Sequence, residues 1–224
     1  MKPTTEPVRI WDLPTRIFHW TLAACVISSV VTAHIGGNAL VWHFRLGYLT
    51  LSLLSFRIVW GLVGGHWSRF TSFVFSPATL MRYLRKDTAT RASLDIGHSP
   101  VGALSVFAIL GILAVQVGTG LFADDEIAST GPLIKYVSGS TSLLLTKWHK
   151  NYGQWIIVSL AALHVIAITI YVLKQKRDLL SAMVSGDKLL PASTPASTDT
   201  LGSRATALVV FALCAAGVWW LVNL

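Results

Sequence analysis

Five runs of apolar residues, at about 17 to 35, 44 to 64, 101 to 122, 152 to 173 and 205 to 223, dominate the chain. Each is close to the ~20 residues an α-helix needs to cross the hydrocarbon core of a bilayer. Backbone polar groups find no water in that layer, so five such runs point to an all-α integral membrane protein. Composition agrees: 53% of the residues are hydrophobic and 12% charged, against roughly 25% charged in an average soluble domain. The first run follows Trp11, Asp12, Pro14 and Arg16 without a small-residue cleavage site, so it is expected to stay as a span.

A net charge of +8 would suit a nucleic-acid binder, but the positions of the charges argue for topology instead. With the N-terminus in the cytoplasm, Lys2, Arg9, Arg16, Arg69, Arg82, Arg85, Lys86, Arg91, Lys174, Lys176, Arg177, Lys188 and Arg204 fall on the inner side. Lys135, Lys147 and Lys150 fall outside, and Arg45 and Arg57 lie within the second run. The positive-inside rule therefore predicts a membrane protein with N-terminus in and C-terminus out, bound to lipid and not to nucleic acid. Cys25 and Cys214 sit in the first and last runs, read as small buried residues, and the absence of Cys-x-x-Cys-His excludes the usual covalent haem attachment.

Residues 1–188 are expected to form one transmembrane domain of four helices. The Pro, Ala, Ser and Thr-rich stretch 189–203 has a flexible linker's composition, and 204–224 reads as an additional C-terminal transmembrane helix. Ser76 and Pro77 predict the start of a short interfacial helix on the inner side. The outer loop from Ala123 to Thr146 carries Asp124, Asp125 and Glu126, most simply a solvated face.

Four of the seven histidines stand in or at the edge of apolar runs: His19, His43, His149 and His164. Ionisable groups there are costly and mark functional sites. His34 and His66, beside glycines at span ends, read as ordinary interfacial residues, and His98 is a secondary candidate for quinone or propionate. His149 and His164 are fifteen residues apart, which in a continuous α-helix separates them by roughly 22 Å along the axis and about 60° in azimuth. Helix direction then places His19 and His164 at the inner level, His43 and His149 at the outer. Two bis-imidazole sites at separate depths suit two non-covalent haem b groups and count against a metal cage, which wants three or four ligands at one level. Arg16, Arg45 and Arg57 are candidate partners for the haem propionates.

Several stretches carry a family resemblance: Val8-Arg-Ile-Trp-Asp-Leu-Pro-Thr-Arg-Ile-Phe-His-Trp20, Phe56-Arg-Ile-Val-Trp-Gly61, Arg69-Phe-Thr-Ser-Phe73, Gly97-His-Ser-Pro-Val-Gly102 and Asp178-Leu-Leu-Ser-Ala-Met-Val-Ser-Gly-Asp-Lys188. In this order they resemble the prokaryotic cytochrome b561 family, which includes the b-type cytochrome subunits of nickel-iron hydrogenases. The resemblance covers about 8 to 188 and leaves the fifth run outside. It implies a four-helix di-haem core in the bacterial inner membrane, with ligands in the first, second and fourth helices. That core would pass electrons between a periplasmic redox partner, a c-type cytochrome or a hydrogenase, and the quinone pool. A self-contained superoxide:quinone oxidoreductase is the alternative within the family, and a histidine-based metal or proton transporter the alternative outside it. A homodimer is left open.

Overall fold

The computed structural model describes residues 5–85, 94–127, 129–176 and 178–224. Lys2, Lys86, Arg91 and Arg177, placed above among the inner-side charges, lie outside the described residues.

Among the described residues, five helices are long and apolar enough to cross a membrane: Leu13–Ile35, Gly37–Val63, Pro100–Gly120, Gly139–Lys174 and Leu201–Val222. The expected all-α membrane fold with an added C-terminal helix is what forms. Helix α1 (Leu13–Ile35) starts earlier than hydropathy alone suggests. The reason is a cap: the Asp12 carboxylate accepts the Thr15 N–H at 2.8 Å. Gly36 and Gly37, at φ 67° and 53°, occupy the left-handed region only glycine enters freely, and they turn the chain into α2 (Leu40–Val63). Then come α3 (Pro77–Leu84), capped by Ser76 as expected, and α4 (Pro100–Gly120).

The fourth span differs from expectation. Residues assigned to the outer loop form α5 (Gly139–Trp148), capped by Ser138. A π-helical turn, His149–Gly153, joins it to α6 (Gln154–Gln175). The count of 100° per residue used to relate His149 to His164 does not carry across that turn, because a π-turn holds an extra residue. Helix α7 (Leu179–Ser185) and α8 (Leu201–Val222) follow. Hydropathy gave no sign of the two-stranded antiparallel ribbon of β1 (Thr5–Arg9) and β2 (Asp187–Pro191).

The chain divides into two compact units. The first comprises Met1–Ile17, Arg57–Phe107 and Leu163–Leu208, and the second Phe18–Phe56, Ala108–Ala162 and Val209–Leu224.

In the first unit, Val8, Ile10, Trp11 and Ala182 form an apolar core with Trp67, Ile96, Met183 and Leu190 against it. Gly186, at φ 95°, ends α7 and its carbonyl accepts the N–H groups of Ile10 and Trp11. Residues 189–203 do not behave as their composition suggests. Ser197 is buried; its N–H donates to the Arg9 carbonyl at 2.7 Å and its hydroxyl to the Ile10 carbonyl at 2.7 Å. Asp199 pairs with Arg204 at 2.8 Å and Arg9 at 3.3 Å. Burial alone would raise the Asp199 pKa, but the Arg204 hydrogen bond, the Leu13 N–H and the charges of Arg204 and Arg9 hold it below the ordinary carboxylate value.

In the second unit, Phe18 and Phe56 pack with ring centres 6.3 Å apart, and Phe56 meets Phe211 of α8 at 6.1 Å. The outer loop is hydrogen-bonded back onto its own ends. The Gly131 N–H donates to the Ala123 carbonyl at 2.7 Å, the Leu133 N–H to the Leu121 carbonyl at 2.9 Å, and the Asp124 N–H to the Thr146 hydroxyl at 2.8 Å.

Candidate haem site

His43, in the first turn of α2, and His149, which opens the π-turn, line one cavity of about 350 Å³ within the second unit. That volume is in the range of cofactor pockets, ~300 to 1,000 Å³. The walls are largely apolar, with Val26, Val30, Leu113, Val117 and Ile157 among them, and Asp124, Asp125 and Lys150 are its charged lining.

The two imidazole centres are 6.0 Å apart and their planes stand at 89°. A metal–imidazole nitrogen bond of about 2.0 Å on each side of one ion requires ring centres roughly 6 Å apart. The spacing is therefore the one that two imidazoles on a single metal ion would need. The protonation pattern agrees. The Nδ1–H of His43 donates to the Ser29 carbonyl at 2.9 Å, and that of His149 to the Gln116 carbonyl at 2.9 Å. Carbonyls only accept, so each Nδ1 carries the proton and each Nε2 keeps its lone pair. Histidines that bind metals are held in this way, with the second nitrogen tied to a carbonyl. Glycine supplies the room: a Cβ at Gly120 would lie 2.9 Å from the His149 Cε1.

The remaining predicted residues are placed as follows. His19 stands on α1 in the second unit, half-buried, its ring 5.0 Å from that of Trp20. His164 stands half-buried on α6 in the first unit. Arg16 donates to the Val184 carbonyl, and its buried Nε has no hydrogen-bond partner among the described residues. Arg57 does not reach out to the membrane surface: it is 3% exposed, its guanidinium lies 4.6 Å from the Phe70 ring centre, and its buried Nη1 has no hydrogen-bond partner among the described residues. Arg45 is exposed and lies 5.0 Å over the ring of Trp42, while Lys150 is the cation of the cavity lining. His34 bonds the Val30 carbonyl one turn back at 2.8 Å, as an interfacial residue does. His98 packs edge-on to Trp11 at 4.6 Å and against Phe73 at 4.4 Å.

Sequence reasoning missed Gln116 and Thr119. The Gln116 side-chain Nε2 donates to the His149 carbonyl at 3.0 Å, and the Thr119 hydroxyl donates to the Gln116 carbonyl at 2.8 Å. The available signal was two polar residues three apart, on one helical face, in an apolar run.

A family model described as prokaryotic cytochrome b561 matches residues 10–186. The chain is 24% identical over 211 residues to the probable Ni/Fe-hydrogenase 1 B-type cytochrome subunit of Escherichia coli K12, covering 79% of this chain and 88% of that one. It is 27% identical over 209 residues to the probable Ni/Fe-hydrogenase B-type cytochrome subunit of Cupriavidus necator, covering 79% and 85%. For the corresponding protein of Azotobacter chroococcum the figures are 25% over 224 residues, 84% and 91%. No solved structure matches.

Proposed function

The chain belongs to the prokaryotic cytochrome b561 family, and from that premise we propose that it carries electrons between a hydrogenase on the outer side of the membrane and the quinone pool. A member of this family is a b-type cytochrome, so its cofactor is haem b. The observation that carries the reading is the His43–His149 pair, spaced for one iron, with both Nδ1–H groups tied to carbonyls. The hydrogenase partner is supported by what the relatives from E. coli and C. necator are named, and the quinone and the outward-facing C-terminus by the charge distribution and the family resemblance.

Bound haem b supplies a one-electron iron couple. The chain's own contribution is to hold it. His43 and His149 would hold the iron through their Nε2 lone pairs, one from each side of the cavity, and with both imidazoles bound the group would carry electrons without binding a gas. The apolar walls exclude water, and low polarity strengthens every charge interaction inside. Lys150, with Arg45, is proposed as the charge partner of the carboxylates at this site. A second haem is proposed on His19 and His164; that pairing rests on helix direction in the sequence, with Arg16 and Arg57 as its charge partners. The orphaned Nη1 of Arg57 suits a carboxylate. Residues 1–188 would then be the cytochrome domain, and 204–224 an added membrane helix.

Haem-to-protein ratio and reduced-minus-oxidised spectra test this directly. Two haems b per chain are expected. Replacing His164 by Ala should remove one of them, and unchanged haem content in that variant refutes the second site. A colourless, folded wild-type preparation refutes the whole reading.

A further inference from the structure

We infer that Gln116 is the positioning residue for His149, and so for the ring angle at the iron site; the inference rests on the haem reading above. Gln116 holds His149 at two points. Its main-chain carbonyl takes the ring Nδ1–H at 2.9 Å, and its side-chain Nε2 donates to the His149 backbone carbonyl at 3.0 Å. Any residue at 116 could supply the first contact. Only a side chain with a donor at that length supplies the second.

The second contact matters because of where it falls. His149 is the first residue of the π-turn, where the widened backbone forfeits the tight ladder of an α-helix. A tether from α4 on that first carbonyl fixes the turn's origin, and with it the base of the imidazole. The surroundings are cut to fit. Gly153 closes the same turn, and a Cβ there would lie 1.9 Å from the Gln116 Oε1. Gly120, four residues after Gln116, leaves space for the imidazole itself. The amide comes at a cost, since its Oε1 is buried with no hydrogen-bond partner among the described residues. What the amide contributes is the tether.

Imidazole orientation and hydrogen bonding at the ligand are among the levers by which a protein sets a haem's potential. A pair at right angles gives a highly anisotropic low-spin ferric resonance, and that resonance reads the angle. The test uses the purified holoprotein and two variants, Gln116→Met, which has the length without the donor, and Gln116→Glu, whose ionised carboxylate accepts only. His149→Ala identifies the resonance and midpoint potential of the haem in question. Loss of the tether is expected to shift both, or to release that haem selectively, while the other haem's signals stay in place. Unchanged resonance and potential in whichever variant folds overturns the role of Gln116 with the haem reading intact. Absence of haem in the wild type overturns both together.

Discussion

Asp12 in the first unit and the His43–His149 pair in the second are both polar groups set among apolar side chains, and their surroundings complete them in opposite ways. Asp12 is fully buried and its carboxylate accepts from the Thr15 N–H, the Trp60 indole, the Gly65 N–H and the Ser68 hydroxyl. Every lone pair direction that matters is taken by the protein, so the group acts as a structural knot between the start of α1 and the end of α2. Among the described residues the two histidines are instead hydrogen-bonded through Nδ1, and they line a cavity. Burial of a polar group therefore says little by itself. What distinguishes scaffold from site is whether the protein closes the group's hydrogen-bonding capacity or leaves part of it turned to an empty volume.

That contrast can be broken experimentally. The largest effect is expected from Asp12→Ala, which strands four buried donors and should cost at least about 3 kcal/mol, visible as a lowered thermal midpoint and poor accumulation in the membrane. Wild-type stability in that variant would show that Asp12 is no knot. His43→Ala should do the reverse, leaving accumulation near wild type while the haem-to-protein ratio falls by one; collapse of the fold would erase the distinction. The smallest effect concerns an extramembrane group. Tyr83 is buried and hydrogen-bonded to Asp95 at 2.8 Å, and burial first, then Asp95, push its pKa from 10.0 up to about 12. A folded pKa above the unfolded one means the stabilisation is complete below pH 10 and fades as pH rises toward 12. Alkaline unfolding should show this loss, and Tyr83→Phe should flatten it.

Much of this molecule was legible in the sequence because membrane burial writes itself as length and hydropathy. The five spans, the Ser76 cap and the placing of four histidines in or beside apolar runs all follow from local pattern. The ends of the spans were less legible. Asp12 starts α1 early through its cap, and Gly139–Trp148 is helical although its Gly and Ser content reads as loop. The π-turn is invisible to a 3.6-residue period, so the phase of His149 was taken from an idealised helix. Composition misled most over residues 189–203, since Ser197 and Asp199 are fixed by partners near the start of the chain that no local window contains. Gln116 escaped for the opposite reason: its signal was local, a lone amide in an apolar helix, but its meaning depended on what stood opposite.

The Ser197 hydroxyl meets a carbonyl 187 positions upstream, at Ile10. During synthesis the opening segment emerges long before the residues that will cover it. Its strand must wait until β2 and Ser197 have been made before its partners exist. The first unit is therefore closed late, and a message cut short before that serine leaves the Arg9 and Ile10 carbonyls without the partner that clasps them.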